Sequence, residues 1–225
     1  VYTHQEVVAR SEELFGEYET QPGEAFLTAY DSPRNYLQKC GHGSLVETPS
    51  GEWYFAHLTG RPWHHSTESL IGPRGWCTLG RETAIQKVVW DEEKWPHIVG
   101  GKQGAREVEA PKDASETPFK LNYLEKDDFD DKELNIHFNT LRVPFNDYLG
   151  SLTANPGHLR LIGRGSLTNE HEHSLVVRRW QAFDFDAETA VRYQPENHQQ
   201  MAGLVNYYNT QHWSMIQVTW NEING

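Results

Sequence analysis

The chain has 225 residues, and its 20 Lys and Arg against 32 Asp and Glu give a formal net charge of −12 with His neutral. Hydrophobic residues make up 37% and aromatic residues 12% of the chain, which suffices for a buried core and excludes a disordered segment. The acidic balance argues against a nucleic-acid binder, and the lack of any apolar run of about 18 residues argues against a membrane-spanning helix.

The amino-terminal residues VYTHQEVVARS contain no basic region followed by an apolar stretch, so we expect a cytoplasmic protein. The chain starts without Met and stops soon after a strand-like run, and we expect it to be a segment of a longer protein. Its two cysteines, Cys40 and Cys77, are too few for a disulfide framework and lack the spacing of a zinc site, which predicts free thiols.

Strand signals dominate the first half of the chain, and the short run Glu6–Phe15 is the one helix-like segment. Leu45-Val46 and Trp53–Leu58 flank Pro49-Ser50-Gly51, which predicts a β-hairpin. The apolar and β-branched run Ala84–Trp90 predicts a further strand.

An acidic stretch, residues 107–133, contains ten acidic residues and four Lys, which is typical of a linker between two strand-rich parts. Beyond this linker, apolar residues alternate with charged ones from Phe183 to Tyr193, which predicts a strand with one solvent-exposed face. Gly203–Tyr208 and Ser214–Trp220 then predict a second hairpin.

Two motifs with functional potential each precede or begin a strand. In Gly41-His42-Gly43-Ser44 the flanking glycines let the imidazole project toward a ligand; the alternative is a loop histidine bound to the backbone. In Leu79-Gly80-Arg81-Glu82-Thr83 the guanidinium of Arg81 can donate paired hydrogen bonds to hydroxyls or a carboxylate; the alternative is a surface ion pair with Glu82. His57 alternates with Trp53 and Phe55, which favours a core histidine over a ligand.

Other candidate groups carry weaker signals. The pairs His64-His65 and His171/His173 lack a third ligand, so metal binding is the weaker interpretation. Hydrolysis by a carboxyl pair needs one acid with a raised pKa, and nothing in the sequence marks Glu47, Glu52, Glu68 or Glu82 as that acid. The aromatic residues of the second half suit either sugar stacking or a core, and we expect most to lie in the core: Trp180, Phe183, Phe185, Tyr207, Tyr208, Trp213 and Trp220.

Several strings in one order carry a resemblance to a known family. They are LQKCGHGSLV at 37–46, EWYFAHLTGRP at 52–62, LGRETAIQ at 79–86, WPHIVGG at 95–101, FNTLR at 138–142, PGHLRL at 156–161 and QQMAGLVNYYNT at 199–210. Over nearly its whole length the chain resembles glycoside hydrolase family 43, in particular the β-xylosidases that carry a carboxy-terminal β-sandwich.

The resemblance implies an all-β fold with two domains, both incomplete in this chain. Residues 1–112 would form the later blades of a five-bladed β-propeller, the carboxy-terminal part of the glycoside hydrolase domain. Residues 113–225 would form the first part of a concanavalin A-like β-sandwich, a lectin-like domain.

The resemblance also implies inverting, exo-acting hydrolysis of xylo-oligosaccharides from the non-reducing end, with α-L-arabinofuranosidase activity as an accompanying property. The general acid and bases of the family match positions upstream of Val1, so no catalytic residue is assigned here, and the chain alone is predicted inactive. His42 and Arg81 match substrate-binding residues of the family.

No cofactor is required by this scheme, although it allows a Ca²⁺ ion in the propeller channel. Partners would be the xylo-oligosaccharide, the upstream propeller part of the same protein and further copies of it in a homo-oligomer. The alternative function is a non-catalytic carbohydrate-binding sandwich module.

Overall fold

A computed structural model describes residues 2–23, 25–63, 73–115 and 125–223. The chain divides into two compact units, the first comprising Val1–Lys120 with Gln181–Phe183 and the second Leu121–Trp180 with Asp184–Gly225. Within the described ranges every regular element is a β-strand, in agreement with the all-β prediction. No helix in those ranges is long and apolar enough to cross a membrane.

The first unit contains eight strands, all paired antiparallel. They are β1 (Gln5–Glu6), β2 (Ala9–Arg10), β3 (Glu19–Thr20), β4 (Leu27–Thr28), β5 (Gln38–Glu47), β6 (Trp53–Gly60), β7 (Glu82–Trp90) and β8 (Pro96–Ile98). Strands β5 to β8 form one sheet in sequence order, while β1 pairs with β4 and β2 with β3. A four-stranded antiparallel sheet in sequence order is the architecture of a propeller blade.

The hairpin of β5 and β6 confirms the prediction made from the Pro-Ser-Gly turn. Gly51 stands at φ 79°, a left-handed conformation that glycine adopts without steric cost, and its N–H donates to the Thr48 carbonyl at 2.9 Å. The predicted strand from Ala84 to Trp90 is also confirmed, and it begins two residues earlier, at Glu82.

The apolar core of the first unit lies between this sheet and the segment around β4. Its buried members are Phe26, Leu27, Ala29, Leu37, Cys40, Phe55, Val88 and Ile98. The rings of Phe26 and Phe55 meet edge to face with centroids 5.0 Å apart, an arrangement that aromatic quadrupoles favour. The four-stranded sheet of the first unit therefore has a packed apolar interior on one face.

The second unit contains six strands in three antiparallel pairs: β9 (Phe138–Thr140) with β12 (Val176–Arg178), β10 (Gly150–Ser151) with β11 (Arg160–Leu161), and β13 (Met201–Asn209) with β14 (His212–Thr219). The last pair confirms the second predicted hairpin. Its turn is closed by Asn209, whose Oδ1 accepts the N–H groups of Gln211 and His212, each at 2.9 Å.

Two predictions of secondary structure are wrong. The run Glu6–Phe15 forms no helix, because Glu6 pairs with Leu27 and Arg10 pairs with Glu19 in antiparallel ladders that take the backbone hydrogen bonds a helix would need. The run from Phe183 to Tyr193 forms no strand, since none of the strands in the described ranges runs beside it to supply a ladder.

Candidate functional site

His42 projects from an irregular part of β5. The pairing of β5 with β6 shifts register twice, between Gln38 and Gly41 and again between Gly41 and Gly43. His42 itself adopts φ 52°, a left-handed conformation that is uncommon for a residue with a Cβ atom. Such bulges redirect a side chain, and the His42 side chain is exposed to solvent.

The residue after His42 must be glycine for steric reasons. A Cβ atom at Gly43 would lie 2.3 Å from Cζ of Phe55 and 2.5 Å from the carbonyl oxygen of Ala56. The Gly43 N–H instead donates to Oε2 of Glu6 at 3.2 Å, which ties the bulge to β1. Gly43 is therefore needed for close packing against β6, while the projection of the His42 imidazole toward a ligand stays a prediction.

Arg81 follows a tight turn and comes directly before β7. The Gly80 N–H donates to the Cys77 carbonyl at 3.1 Å, Gly80 adopts φ 79°, and Leu79 is buried. The Arg81 side chain is exposed, and no hydrogen bond or ion pair joins it to the residues that the structure describes. Within the described ranges, its guanidinium is therefore not engaged by another side chain.

The alternative interpretation of Arg81, a surface pair with Glu82, is wrong. Glu82 is bound instead by Arg61, whose Nε lies 3.0 Å from Oε2 and whose Nη2 lies 2.8 Å from Oε1. Hydrogen bonds from Arg61 to Glu82 and to Tyr36 raise the pKa of the guanidinium above its usual value. The sequence carries no local signal for this pair, because Arg61 lies two residues beyond Thr59, whose pairing with Glu82 is a property of the strand register.

His42 and Arg81 lie at the same end of the four-stranded sheet. Gly41 of β5 pairs with Leu58 of β6, and Leu58 pairs with Thr83 of β7, so Thr83 is level with the bulge that carries His42. Arg81 precedes Thr83 by two residues. Neighbouring strands lie about 4.8 Å apart, which places β5 and β7 about 10 Å apart. A cleft of about 500 Å³ elsewhere in this unit is lined by residues between positions 5 and 31 and includes neither side chain.

Two of the four candidate acids, Glu52 and Glu82, are bound by basic side chains. Glu52 accepts hydrogen bonds from the Lys112 N–H at 2.7 Å and from Lys87 Nζ at 2.9 Å, and these lower its pKa to about 2. Glu82 is occupied by Arg61, Glu47 lies at the exposed end of β5, and Glu68 lies outside the described residues. A proton donor needs a raised pKa, so Glu52 is unsuited to that role.

His57 is buried, as predicted, with Nδ1 3.0 Å from the Leu58 carbonyl and Nε2 3.4 Å from Nε2 of Gln86.

The histidine pairs provide no metal site in the part of the chain that the structure describes. His173 is buried and His171 exposed, and neither lies in a strand, so the two share no face.

His64-His65 lies outside the described residues. The residues that the structure describes contain no group of three His, Cys, Asp or Glu side chains able to hold a metal ion. A Ca²⁺ ion in the propeller channel stays a prediction.

The expectation that most aromatic residues of the second half are core residues is wrong. None of the seven residues is buried: Trp180, Phe183, Phe185, Tyr207, Tyr208, Trp213 and Trp220. Trp180 and Phe185 meet edge to face with centroids 5.3 Å apart, and Tyr208 is 82% exposed. Alternation along a strand does not distinguish a residue that packs inward from one that faces outward.

The two cysteines, Cys40 and Cys77, are free, as predicted.

Two family models match the chain. Residues 1–96 match the glycosyl hydrolases family 43 model, and residues 126–225 match the model described as the beta xylosidase C-terminal concanavalin A-like domain. The chain is 54% identical over 221 residues to a beta-xylosidase of Bacillus subtilis, covering 98% of this chain and 41% of that protein. It is 38% identical over 207 residues to xylosidase/arabinosidase 43B of Humicola insolens, covering 92% of this chain and 36% of that protein.

A solved structure agrees with these matches. The crystal structure of a xylan beta-1,4-xylosidase from Bacillus halodurans superposes with a TM-score of 0.87 at 47% identity, covering 100% of this chain and 41% of that one. The predicted fold class, propeller blades followed by a concanavalin A-like sandwich, is confirmed. The chain thus spans about two fifths of the length of the relatives it matches.

Proposed function

Since the chain belongs to glycoside hydrolase family 43, we propose that the protein it forms part of is an exo-acting β-xylosidase. The observation that carries this proposal is the 54% identity to a beta-xylosidase over almost the whole chain. The substrate class is xylan-type, and the reaction is inverting hydrolysis of xylo-oligosaccharides from the non-reducing end. The similarity to a xylosidase/arabinosidase supports α-L-arabinofuranosidase activity as an accompanying property.

In this proposal His42 and Arg81 bind the sugar. The Arg81 guanidinium has donors in a rigid fork, which suits paired hydrogen bonds to adjacent hydroxyl groups of a pyranose. The His42 imidazole contributes one donor or acceptor from the neighbouring strand. Both side chains are exposed at one end of the same sheet, which supports a shared role.

Proton transfer in this proposal belongs to the part of the protein outside this chain. Inversion requires one carboxylic acid to protonate the leaving oxygen and one carboxylate to activate water, about 6.5–9.5 Å apart. Glu52 has a strongly lowered pKa and Glu82 is ion-paired, so neither suits the acid role. The chain alone is expected to hydrolyse no aryl β-xyloside, and the reaction itself needs carboxyl groups and water but no cofactor.

The test compares the full-length protein with this chain on 4-nitrophenyl β-D-xyloside and on xylotriose. The full-length protein should release xylose whose first-formed anomer, followed by proton NMR, is α. Arg81→Ala and His42→Ala should each lower kcat/KM by about 100-fold or more. Release of β-xylose first, ordinary turnover by the chain alone, or unchanged kcat/KM in both variants would contradict the proposal.

A second candidate function is carbohydrate binding by the sandwich without catalysis. The observation that favours it is the exposed aromatic surface of the second unit, including Trp180, Phe185 and Tyr208. This candidate predicts that xylohexaose binding, measured by isothermal titration calorimetry, survives Arg81→Ala but is lost in Trp180→Ala. The β-xylosidase proposal predicts the reverse.

Three further properties belong to the proposal. We propose that the protein assembles as a homo-oligomer, which multi-angle light scattering of the full-length protein would test. We propose a cytoplasmic location, which fractionation of the source cells would test. A Ca²⁺ ion in the propeller channel would be detected by elemental analysis of the full-length protein after dialysis.

A further inference from the structure

The ion pair of Arg61 and Glu82 stands directly beside Arg81 in the fold. Three hydrogen bonds join the two side chains, from Nε to both carboxylate oxygens at 3.1 and 3.0 Å and from Nη2 to Oε1 at 2.8 Å. The two side chains are only 31% and 28% exposed. A bidentate pair of this kind fixes both partners in orientation as well as in distance.

The pair fixes the backbone at Arg81 because Glu82 is the next residue. In an extended chain, successive side chains point to opposite faces of the sheet. When Glu82 is held on one face, the Arg81 side chain must therefore project from the opposite face. On the amino-terminal side of Arg81, the Gly80 turn and the buried Leu79 provide a second anchor. Arg81 itself is exposed and lacks a partner among the described residues, so its position depends on these two anchors.

Arg61 is itself held from two sides. The preceding residue, Gly60, lies so close to Cys77 that a Cβ atom there would approach Sγ to 2.8 Å. The guanidinium carbon of Arg61 also lies 5.4 Å from the centroid of the Phe183 ring, which is a cation–π contact. The guanidinium therefore offers a fixed support to Glu82 rather than a mobile surface charge.

We propose that Arg61 and Glu82 are positioning residues that set the orientation of Arg81 toward the sugar. The inference rests on the proposed function, because it assigns a purpose to the placement of Arg81. Neither residue touches the substrate in this scheme; both act through Arg81.

The competing explanation is that the pair only fastens β6 to β7. The chain offers a matched control for it, since Lys87 of β7 binds Glu52 beside the start of β6 at 2.9 Å, with side chains 18% and 12% exposed. The two ion pairs bridge the same two strands at opposite ends. If the ion pairs contribute only to stability, loss of either pair should have a similar effect. If Arg61–Glu82 positions Arg81, only the loss of that pair should impair substrate binding.

The test uses the full-length protein and 4-nitrophenyl β-D-xyloside. Glu82→Gln and Arg61→Met should lower kcat/KM by about tenfold, chiefly through a higher KM, and Arg61→Lys should give an intermediate loss. Glu52→Gln should change kcat/KM by less than about twofold, whatever it does to the melting temperature. In an Arg81→Ala background the further effect of Glu82→Gln on kcat/KM should shrink below about twofold, because the two residues act as one unit.

The outcomes separate the inference from the proposed function. If Glu82→Gln costs the same factor with and without Arg81, or no more than Glu52→Gln, the positioning role is overturned while the β-xylosidase function stands. If the full-length protein lacks β-xylosidase turnover, or Arg81→Ala leaves kcat/KM unchanged, the substrate role of Arg81 fails and the positioning role fails with it. Arg61→Lys retains the charge and serves as the measurement if Arg61→Met does not fold.

Discussion

Gln86 binds the backbone of Ala105 through both ends of its side-chain amide. Its Oε1 accepts the Ala105 N–H at 2.7 Å, and its Nε2 donates to the Ala105 carbonyl at 3.2 Å. Gln86 is fully buried in the middle of β7, so the segment after β8 is held across the sheet by an interior residue. Apolar burial alone would not fix the register of that segment.

We expect Gln86→Leu to destabilise the first unit by about 1–3 kcal/mol, because it leaves the polar groups of Ala105 without their partner. The free energy of unfolding from urea titrations of the chain gives this quantity directly. Thr83→Val, at an exposed position on the same strand, is the control and should change the free energy by about 0.5 kcal/mol or less. Equal effects of the two substitutions would contradict the structural role of the Gln86–Ala105 bonds.

Glu52 gives the first unit a stability that depends on acid pH. The hydrogen bonds from the Lys112 N–H and from Lys87 lower its pKa from 4.5 to about 2, so the folded state holds the proton less tightly than the unfolded state. The contribution is therefore complete above pH 4.5 and is lost as the pH falls toward 2.

Urea midpoints at pH 6, 5, 4 and 3 measure this dependence. The decline between pH 4.5 and 3 should be smaller in Glu52→Gln than in the unmodified chain. Glu47→Gln, at the exposed end of β5, is the matched control and should retain the original decline. The same slope in all three proteins would show that Glu52 is not the source.

The sequence predicted both hairpins because each carries its own signal within about ten residues. A Pro-Ser-Gly turn or an Asn-containing turn between alternating residues needs no distant partner to be recognised. The run from Phe183 to Tyr193 has the same alternation yet forms no strand, because a strand also requires a neighbour that local pattern does not reveal.

The candidate site shows the same limit. Local motifs marked His42 and Arg81 as candidates with alternatives left open, and family resemblance then implied that both bind substrate. The ion pair of Arg61 and Glu82 joins residues 21 positions apart, and it becomes visible only once the register of β6 and β7 is known. Local sequence therefore indicated the exposed side chains but not what holds them.

Gly43→Ala should disrupt the bulge that carries His42. The added Cβ atom would lie 2.3 Å from Phe55 Cζ and 2.5 Å from the Ala56 carbonyl oxygen, and the second of these is backbone that cannot rotate away. Overpacking of this kind costs about 1–3 kcal/mol, to be read from the urea denaturation of the chain. Gly163→Ala is the control, since a Cβ atom there meets nothing within 4 Å, and its effect should be close to zero.

His57 should make the first unit less stable below neutral pH. Burial lowers the pKa of its imidazole below the ordinary 6.5, so the folded state keeps the ring neutral while the unfolded chain takes up a proton. Stability is then complete above pH 6.5 and declines as the pH falls from 6.5 toward the lower folded pKa, by at most about 1.4 kcal/mol per pH unit. This decline begins near pH 6.5, whereas that of Glu52 begins near pH 4.5.

The variant His57→Gln removes the titrating group while its amide can still face Gln86 and the Leu58 carbonyl. Its urea midpoint should fall less between pH 7 and 5 than that of the unmodified chain, even though its stability at pH 7 is lower. His158→Gln, at an exposed position, is the control for loss of a histidine and should leave the pH 7 to 5 decline in place. A decline that persists unchanged in His57→Gln would show that His57 is not its source, and the lowered pKa of the buried imidazole would be refuted.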